Sequence, residues 1–223
     1  MEARKRIRAL QHQIYAANER RIREYTSSPT RFSRADIDTY ERELDESIPP
    51  EWQPSTPKAL RAAIRKARVI LVGDYHSLRQ SQRGFLRILR NIRSKHLTVG
   101  LEFVQARHQK AVNDYLAERI TEEVFLRRIE YARSWPSYQV WPNFKPIFDY
   151  VRRRGGRILA LDADATQCST VFSRDTFMAW RLAEDMRANP RQRLAVLMGE
   201  AHLSPSHLPQ QFWLAAGRLN LDV

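Results

Sequence analysis

The stretch VILVGDYH, residues 69–76, decides the fold. Its aliphatic run has no polar alternation, which suits a strand buried on both faces, as a parallel sheet under helices requires. Gly73 ends the run, and an acid, an aromatic and a histidine follow at once. The same device returns at LAVLMGEAH, residues 194–202, where the aliphatics give way to Gly199, Glu200 and His202. In extended backbone, residues i and i+2 point the same way, so Asp74 with His76, and Glu200 with His202, are each expected to face one cleft.

Working outward from these two strands, helix and strand signals alternate. An amphipathic helix over 58–67 precedes the first strand, and a helix over 80–94 with Phe85, Leu86, Leu89 and Ile92 inward follows it. LTVGLEF, residues 97–103, is the second strand and carries Glu102. Residues 105–118 read as helix. Thr121 opens another as its N-cap, with Glu122 and Glu123 where the helix dipole favours acids. WPSYQVWPNFKP, residues 135–146, reads as an aromatic, proline-rich loop before a helix that Gly155 and Gly156 stop. RILALD, residues 157–162, is the third strand; a helix capped by Ser173 runs to Ala188 and leads to the fourth strand at Leu194. A last helix over 206–217 has Pro209 in its first turn. Strands separated by helices predict an α/β fold, a mainly parallel sheet flanked by helices. Ligand sites in such sheets lie beyond the carboxyl ends of the strands, where this chain places Asp74, His76, Glu102, Asp162, Asp164, Glu200 and His202.

Residues 1–57 read as an N-terminal helical extension with a proline-rich linker over 49–57, and residues 58–223 as the α/β domain. In the extension, Ile7, Leu10, Ile14 and Ala17 recur at helical spacing, as do Ile37, Tyr40 and Leu44. The formal charge of +13 invites a nucleic-acid reading. The arginines are spread over the chain instead of gathered on one element, which favours a solvated basic surface over a nucleic-acid groove. No stretch approaches the roughly 18 apolar residues of a membrane span. The basic N-terminus lacks the apolar core of a secretory signal and Cys168 is the lone cysteine, so a cytoplasmic location is expected. A homo-oligomer is compatible with all of this.

In their order, VILVGDYH, GLEF, the 135–146 segment, RILALD, SRDTFMA at 173–179 and VLMGEAH with its downstream HLP resemble the ChaN-like haem-binding uptake proteins, over about residues 60–211. That family sits in a wider group with the Tiki and TraB proteases and the erythromycin esterases. The resemblance implies an α/β fold with a site built from the two G-[DE]-x-H strand ends and the glutamate between them. Matched positions are Asp74, His76, Glu102, Glu200 and His202; the first motif has Asp74 where glutamate is usual. It further implies a haem or iron ligand, and hydrolysis by analogy with the esterase and protease members. Members are often envelope lipoproteins, whereas this sequence carries no lipobox.

These residues support three kinds of chemistry. Asp74, His76, Glu102, Glu200 and His202 are the donors expected for a divalent metal ion with an open water position. Without a metal, His76, Glu102 and His202 are the catalytic candidates for ester or amide hydrolysis, His76 taking a proton from water and Glu102 or Glu200 holding the imidazole. Tyr75, His76 and Arg174 are the candidate haem contacts, with Tyr75, Trp135, Tyr138 and Trp141 able to line a porphyrin-sized apolar pocket. A non-catalytic interaction module with a basic surface is the remaining alternative. Glu102 could alternatively be a buried salt-bridge partner of Arg174, Arg174 and Asp175 an ion pair, Asp162 and Asp164 turn caps, and His96, His108 and His207 surface or cap residues.

Overall fold

Parallel pairing of four strands builds a single sheet in the computed structural model, which describes residues 6, 9–17, 20, 34–47, 55–76, 78–134, 140–164, 168 and 170–221. The strands are β1 (Val69–Asp74), β2 (Leu97–Gln105), β3 (Arg157–Asp162) and β4 (Arg193–Gly199), in spatial order β1-β4-β2-β3. All three pairings are parallel. The helices are α1 (Arg34–Ser47), α2 (Pro57–Lys66), α3 (Arg79–Asn91), α4 (Gln109–Leu116), α5 (Glu122–Arg128), α6 (Tyr131–Ser134), α7 (Trp141–Arg153), α8 (Val171–Ala188) and α9 (Leu208–Arg218). Residues 9–17 are also helical. This is the α/β architecture expected from the alternation of signals.

Period-two alternation distributes the strands' side chains over two cores. Ala195 and Leu197 of β4 join Val99 and Leu101 under Phe85, Leu89, Val112, Phe125 and Ile147 from α3, α4, α5 and α7. Leu194, Val196 and Met198 face the opposite layer, where Met178, Leu182 and Met186 of α8 meet Leu208 and Phe212 of α9. Both faces of the sheet are thus covered, and its carboxyl edge is left to the polar residues. Among the described residues no helix is long and apolar enough to cross a membrane.

Several local expectations change. The 69–73 stretch, expected to be buried on both faces, forms the edge strand and is only half-buried; β4 and β2 are the central strands. β2 extends to Gln105 through a register shift after Leu101, so the expected 105–118 helix begins only at Ala106 as a 3-10 turn and becomes α4 at Gln109. Residues 141–146 are helix: Pro142 occupies the first turn, and burial of Trp141, Phe144, Ile147, Phe148 and Val151 outweighs the helix bond lost at Pro146. Trp141 is packed against Phe125 and Phe148 as core, not as pocket lining. Trp135 and Tyr138, like most of the 49–57 linker, lie outside the described residues. The cap of α8 is Thr170, with Ser173 completing a capping box as its third residue. Gly155 does end α7 as expected: with φ +59, it takes the left-handed position that lets its own N–H and that of Gly156 reach back to Arg152 and Val151.

Candidate active site

β1 ends in Asp74, whose carboxylate is 3% exposed and accepts on both oxygens. Gln82 of α3 donates its amide to Oδ1 at 2.6 Å, and His76 Nδ1 lies 2.9 Å from Oδ2. A carboxylate on Nδ1 fixes the ring and leaves Nε2 as the working nitrogen. The His76 side chain remains 31% exposed, and its Nε2 lies beside Gly199. Burial pushes its pKa down, but the bond to Asp74 and the charges of Asp74 and Glu102 outweigh that, and it ends above the ordinary histidine value.

Glu102 stands where β2 leaves its register with β4. The last paired residues are Leu101 and Leu197, and beyond them the Glu102 carboxylate takes over from the backbone: its Oε2 accepts from Gly199 N at 2.6 Å. Its Oε1 accepts from Arg174 Nη2 at 2.7 Å and faces His202 Nε2 at 3.1 Å. Burial favours its neutral form, yet the positive charges of His202 and Arg174 hold its pKa well below the usual carboxylate range. Arg174 also grips Asp162 Oδ1 through Nε and Nη2 at 3.0 and 2.6 Å. The salt bridge from Glu102 to Arg174 therefore coexists with the histidine contact.

His202 follows β4, but not in extended backbone. Glu200–Leu203 is a 3-10 turn, so Glu200 and His202 do not share a direction as an extended strand end would require. His202 is 5% exposed and sits between two carboxylates, Glu102 at Nε2 and Asp175 of α8 at Nδ1, 2.5 Å away. Burial lowers its pKa; the charge of Glu102 and the bonds to Asp175 and Glu102 more than reverse this, and it is pushed up to about 9. At neutral pH the ring is an imidazolium donating to both acids. Glu200 instead meets Tyr75, whose phenol is driven upward by burial and by its bond to that carboxylate.

Gly199 shows where the groups converge. A Cβ placed there would lie 3.4 Å from His202 Cδ2, 3.5 Å from Glu102 Oε2 and 3.6 Å from His76 Nε2. The lack of a side chain thus keeps open a space walled by all three catalytic candidates. Of the five expected metal donors, His76, Glu102 and His202 border this space, and Asp74 stands behind His76 on its Nδ1. Among the described residues no group of three or more His, Cys, Asp and Glu is arranged to hold a metal ion.

Sequence reasoning missed three contributors. Arg174 with Asp175 reads from the sequence as either substrate-binding or a buried ion pair, but adjacent helical residues point about 100° apart. Arg174 therefore serves Glu102 and Asp162, while the fully buried Asp175 serves His202 and His207. His207, expected at the surface or as a cap, is the N-cap residue of α9, but it is 6% exposed and its ring turns inward to Asp175 instead of capping the helix. Gln82 gave no signal beyond its place on an amphipathic helix. Asp164 takes Arg107 at 2.6 Å, away from the site.

A family model described as haem-binding uptake, Tiki superfamily, ChaN matches residues 60–174. The chain belongs to that family. Among solved structures, this ChaN-family chain is similar to the ChaN of Campylobacter jejuni, described with cofacial haem binding, at a TM-score of 0.55 and 13% identity, over 72% of this chain and 82% of that one. It is also similar to RRSP, a MARTX toxin effector domain from Vibrio vulnificus, at a TM-score of 0.45 and 19% identity, over 77% of this chain and 34% of that one. No curated protein matches the chain. The likeness to the Campylobacter ChaN concerns the fold; the roles of the residues at the strand ends are argued from their own geometry.

Proposed function

We propose that this ChaN-family chain is a histidine-based hydrolase of ester or amide bonds, with its reaction centred on the space above Gly199. The observation that carries the reading is the inequality of two acid-bound histidines around that space: His76 reachable, His202 buried between Glu102 and Asp175. Asp74 takes the Nδ1–H of His76, the part expected of Glu102 or Glu200, so that the Nε2 lone pair faces the space. A water held there by Glu102 Oε2 gives its proton to His76 Nε2 as its oxygen adds to the substrate carbonyl. His76 then returns that proton to the leaving oxygen or nitrogen as the tetrahedral centre collapses. The positive charges of His202 and Arg174 keep Glu102 ionised, so it orients the water without competing for the proton.

Family membership supports a second reading, haem binding at the same rim. Of the three expected contacts, His76 is the one that could hold the haem iron, through Nε2, with Asp74 fixing the ring at Nδ1. Tyr75 fits less well, because Glu200 disfavours its phenolate, and the Arg174 guanidinium is 15% exposed and engaged by Glu102 and Asp162. Haem bound there would supply redox chemistry; no hydrolytic step depends on it.

One experiment separates the two. His76→Ala is expected to lower hydrolysis of p-nitrophenyl acetate by 10² or more, on the order of a lost general base. Gly199→Ala, whose methyl fills the space at ordinary contact distances and whose φ of −49° alanine adopts freely, is expected to do the same with the fold intact. Undiminished turnover in either variant contradicts the roles assigned. A Soret band on hemin titration that disappears in His76→Ala supports the haem reading, and an unchanged hemin spectrum in the wild type removes it.

A further inference from the structure

The hydrogen-bond network does not stop at His202. Asp175 is fully buried and uses its second oxygen, Oδ2, to meet His207 Nδ1 at 3.2 Å. The far side of that imidazole, Nε2, lies 2.7 Å from Oε2 of Glu43. Glu43 belongs to α1, more than 150 residues earlier in the chain, and its side chain is 42% exposed. Its backbone carbonyl also receives Ser204 Oγ at 3.5 Å, so α1 is held beside the 3-10 turn that carries His202. A continuous line of acids and imidazoles therefore runs from the surface to the reaction space: Glu43, His207, Asp175, His202, Glu102.

We propose that Glu43 is a positioning residue of the active site, acting through His207 and Asp175 on the ring of His202, and that the N-terminal segment is thereby part of the catalytic apparatus. This rests on the hydrolase reading for its consequence in turnover, but not for its structural content. A buried carboxylate is costly unless its oxygens are satisfied, so Asp175 holds His202 in one orientation only while His207 occupies its other oxygen. Glu43 at Nε2, opposite Asp175 at Nδ1, contributes to holding the His207 ring in this orientation. Removing Glu43 frees the imidazole to rotate, leaves Asp175 with one partner less, and loosens the ring that keeps Glu102 ionised and aimed. Buried networks of this kind couple more strongly than exposed pairs, because the low local dielectric strengthens every member.

The test uses the full chain with four substitutions. Glu43→Ala is expected to lower kcat for p-nitrophenyl acetate about tenfold, with KM unchanged, as follows from misplacing a catalytic group by a fraction of an ångström. Glu43→Gln keeps an acceptor at the same place and restores most of the rate. Asp45→Ala, an exposed acid two residues away on the same helix, changes nothing. Proton–nitrogen correlation spectra of the histidine rings supply a readout independent of turnover: Glu43→Ala and His207→Asn both displace the His202 ring signals, and Asp45→Ala leaves them in place. His202 signals identical in the wild type and Glu43→Ala, or equal activity in Glu43→Ala and Asp45→Ala, overturn the proposal. If the wild type hydrolyses no ester, that failure belongs to the hydrolase reading, and the ring spectra still decide the role of Glu43.

Discussion

The two strand-end motifs, Gly73-Asp74-Tyr75-His76 and Gly199-Glu200-Ala201-His202, share a sequence pattern and differ in the exposure of the histidine and in where its carboxylate comes from. The first histidine binds its own motif's acid at 2.9 Å and stays 31% exposed. The second ignores its motif's acid, which turns to Tyr75, and takes Glu102 and Asp175 from other elements while 5% exposed. The cause lies in where the strands sit. β1 is an edge strand, and His76, just past its end, is only half-buried and takes the nearest carboxylate, two residues back, as its partner. β4 is central and winds at once into a 3-10 turn beneath α8, which puts His202 in the interior and Glu200 aside. One pattern thus yields one histidine that is partly exposed and one that is buried.

The contrast is broken most severely at Glu102. Glu102→Gln leaves Arg174 and the His202 imidazolium facing a neutral amide in the interior, and the expected cost is about 3–5 kcal/mol of stability along with loss of turnover. Urea unfolding of wild type and variant measures the first and p-nitrophenyl acetate hydrolysis the second; a midpoint unchanged by the substitution would remove Glu102 as the shared anchor. Asp74→Asn sharpens the comparison from the other side. His76 is pushed down by burial and lifted by Asp74, so without the carboxylate its pKa falls. Because the base must be unprotonated, the rising limb of kcat/KM against pH moves to lower pH, while the plateau drops on the order of 10²-fold through the lost ring orientation. A limb that stays in place contradicts the assignment of His76 as the base. The smallest effect belongs to Glu200→Gln, which lies outside the converging set. Hydrolysis is expected to change less than about threefold, and the Tyr75 phenol, relieved of the carboxylate beside it, titrates at lower pH in an ultraviolet difference spectrum.

Much of this was legible in the chain itself. Apolar runs that end at or near an acid located all four strands, two of them with a glycine just before that acid, and their separation by helices dictated parallel pairing. The gathering of His76, Glu102 and His202 near Gly199 was legible because strand ends in such sheets meet at one edge. What the sequence concealed has a common physical origin, long-range partnership. β1 was expected to be buried on both faces because its residues are aliphatic, yet aliphatic content does not say which strand has two neighbours. Asp175 could not be matched to His202 from 27 positions away, nor Glu43 to His207 from 164. The 141–146 segment misled because proline outweighs other local signals, whereas five buried side chains on one face of α7 decide the matter.

The central claim, two acid-bound histidines in opposite protonation roles, is tested most directly by a pH titration of the histidine ring signals in the full chain. His202 is expected to keep both N–H protons through neutral pH and to release one only near pH 9. His76 is expected to titrate separately, above the ordinary histidine range and with its neutral form protonated on Nδ1. A His202 ring that loses its proton at the ordinary histidine value, or a neutral His76 protonated on Nε2, would contradict the account.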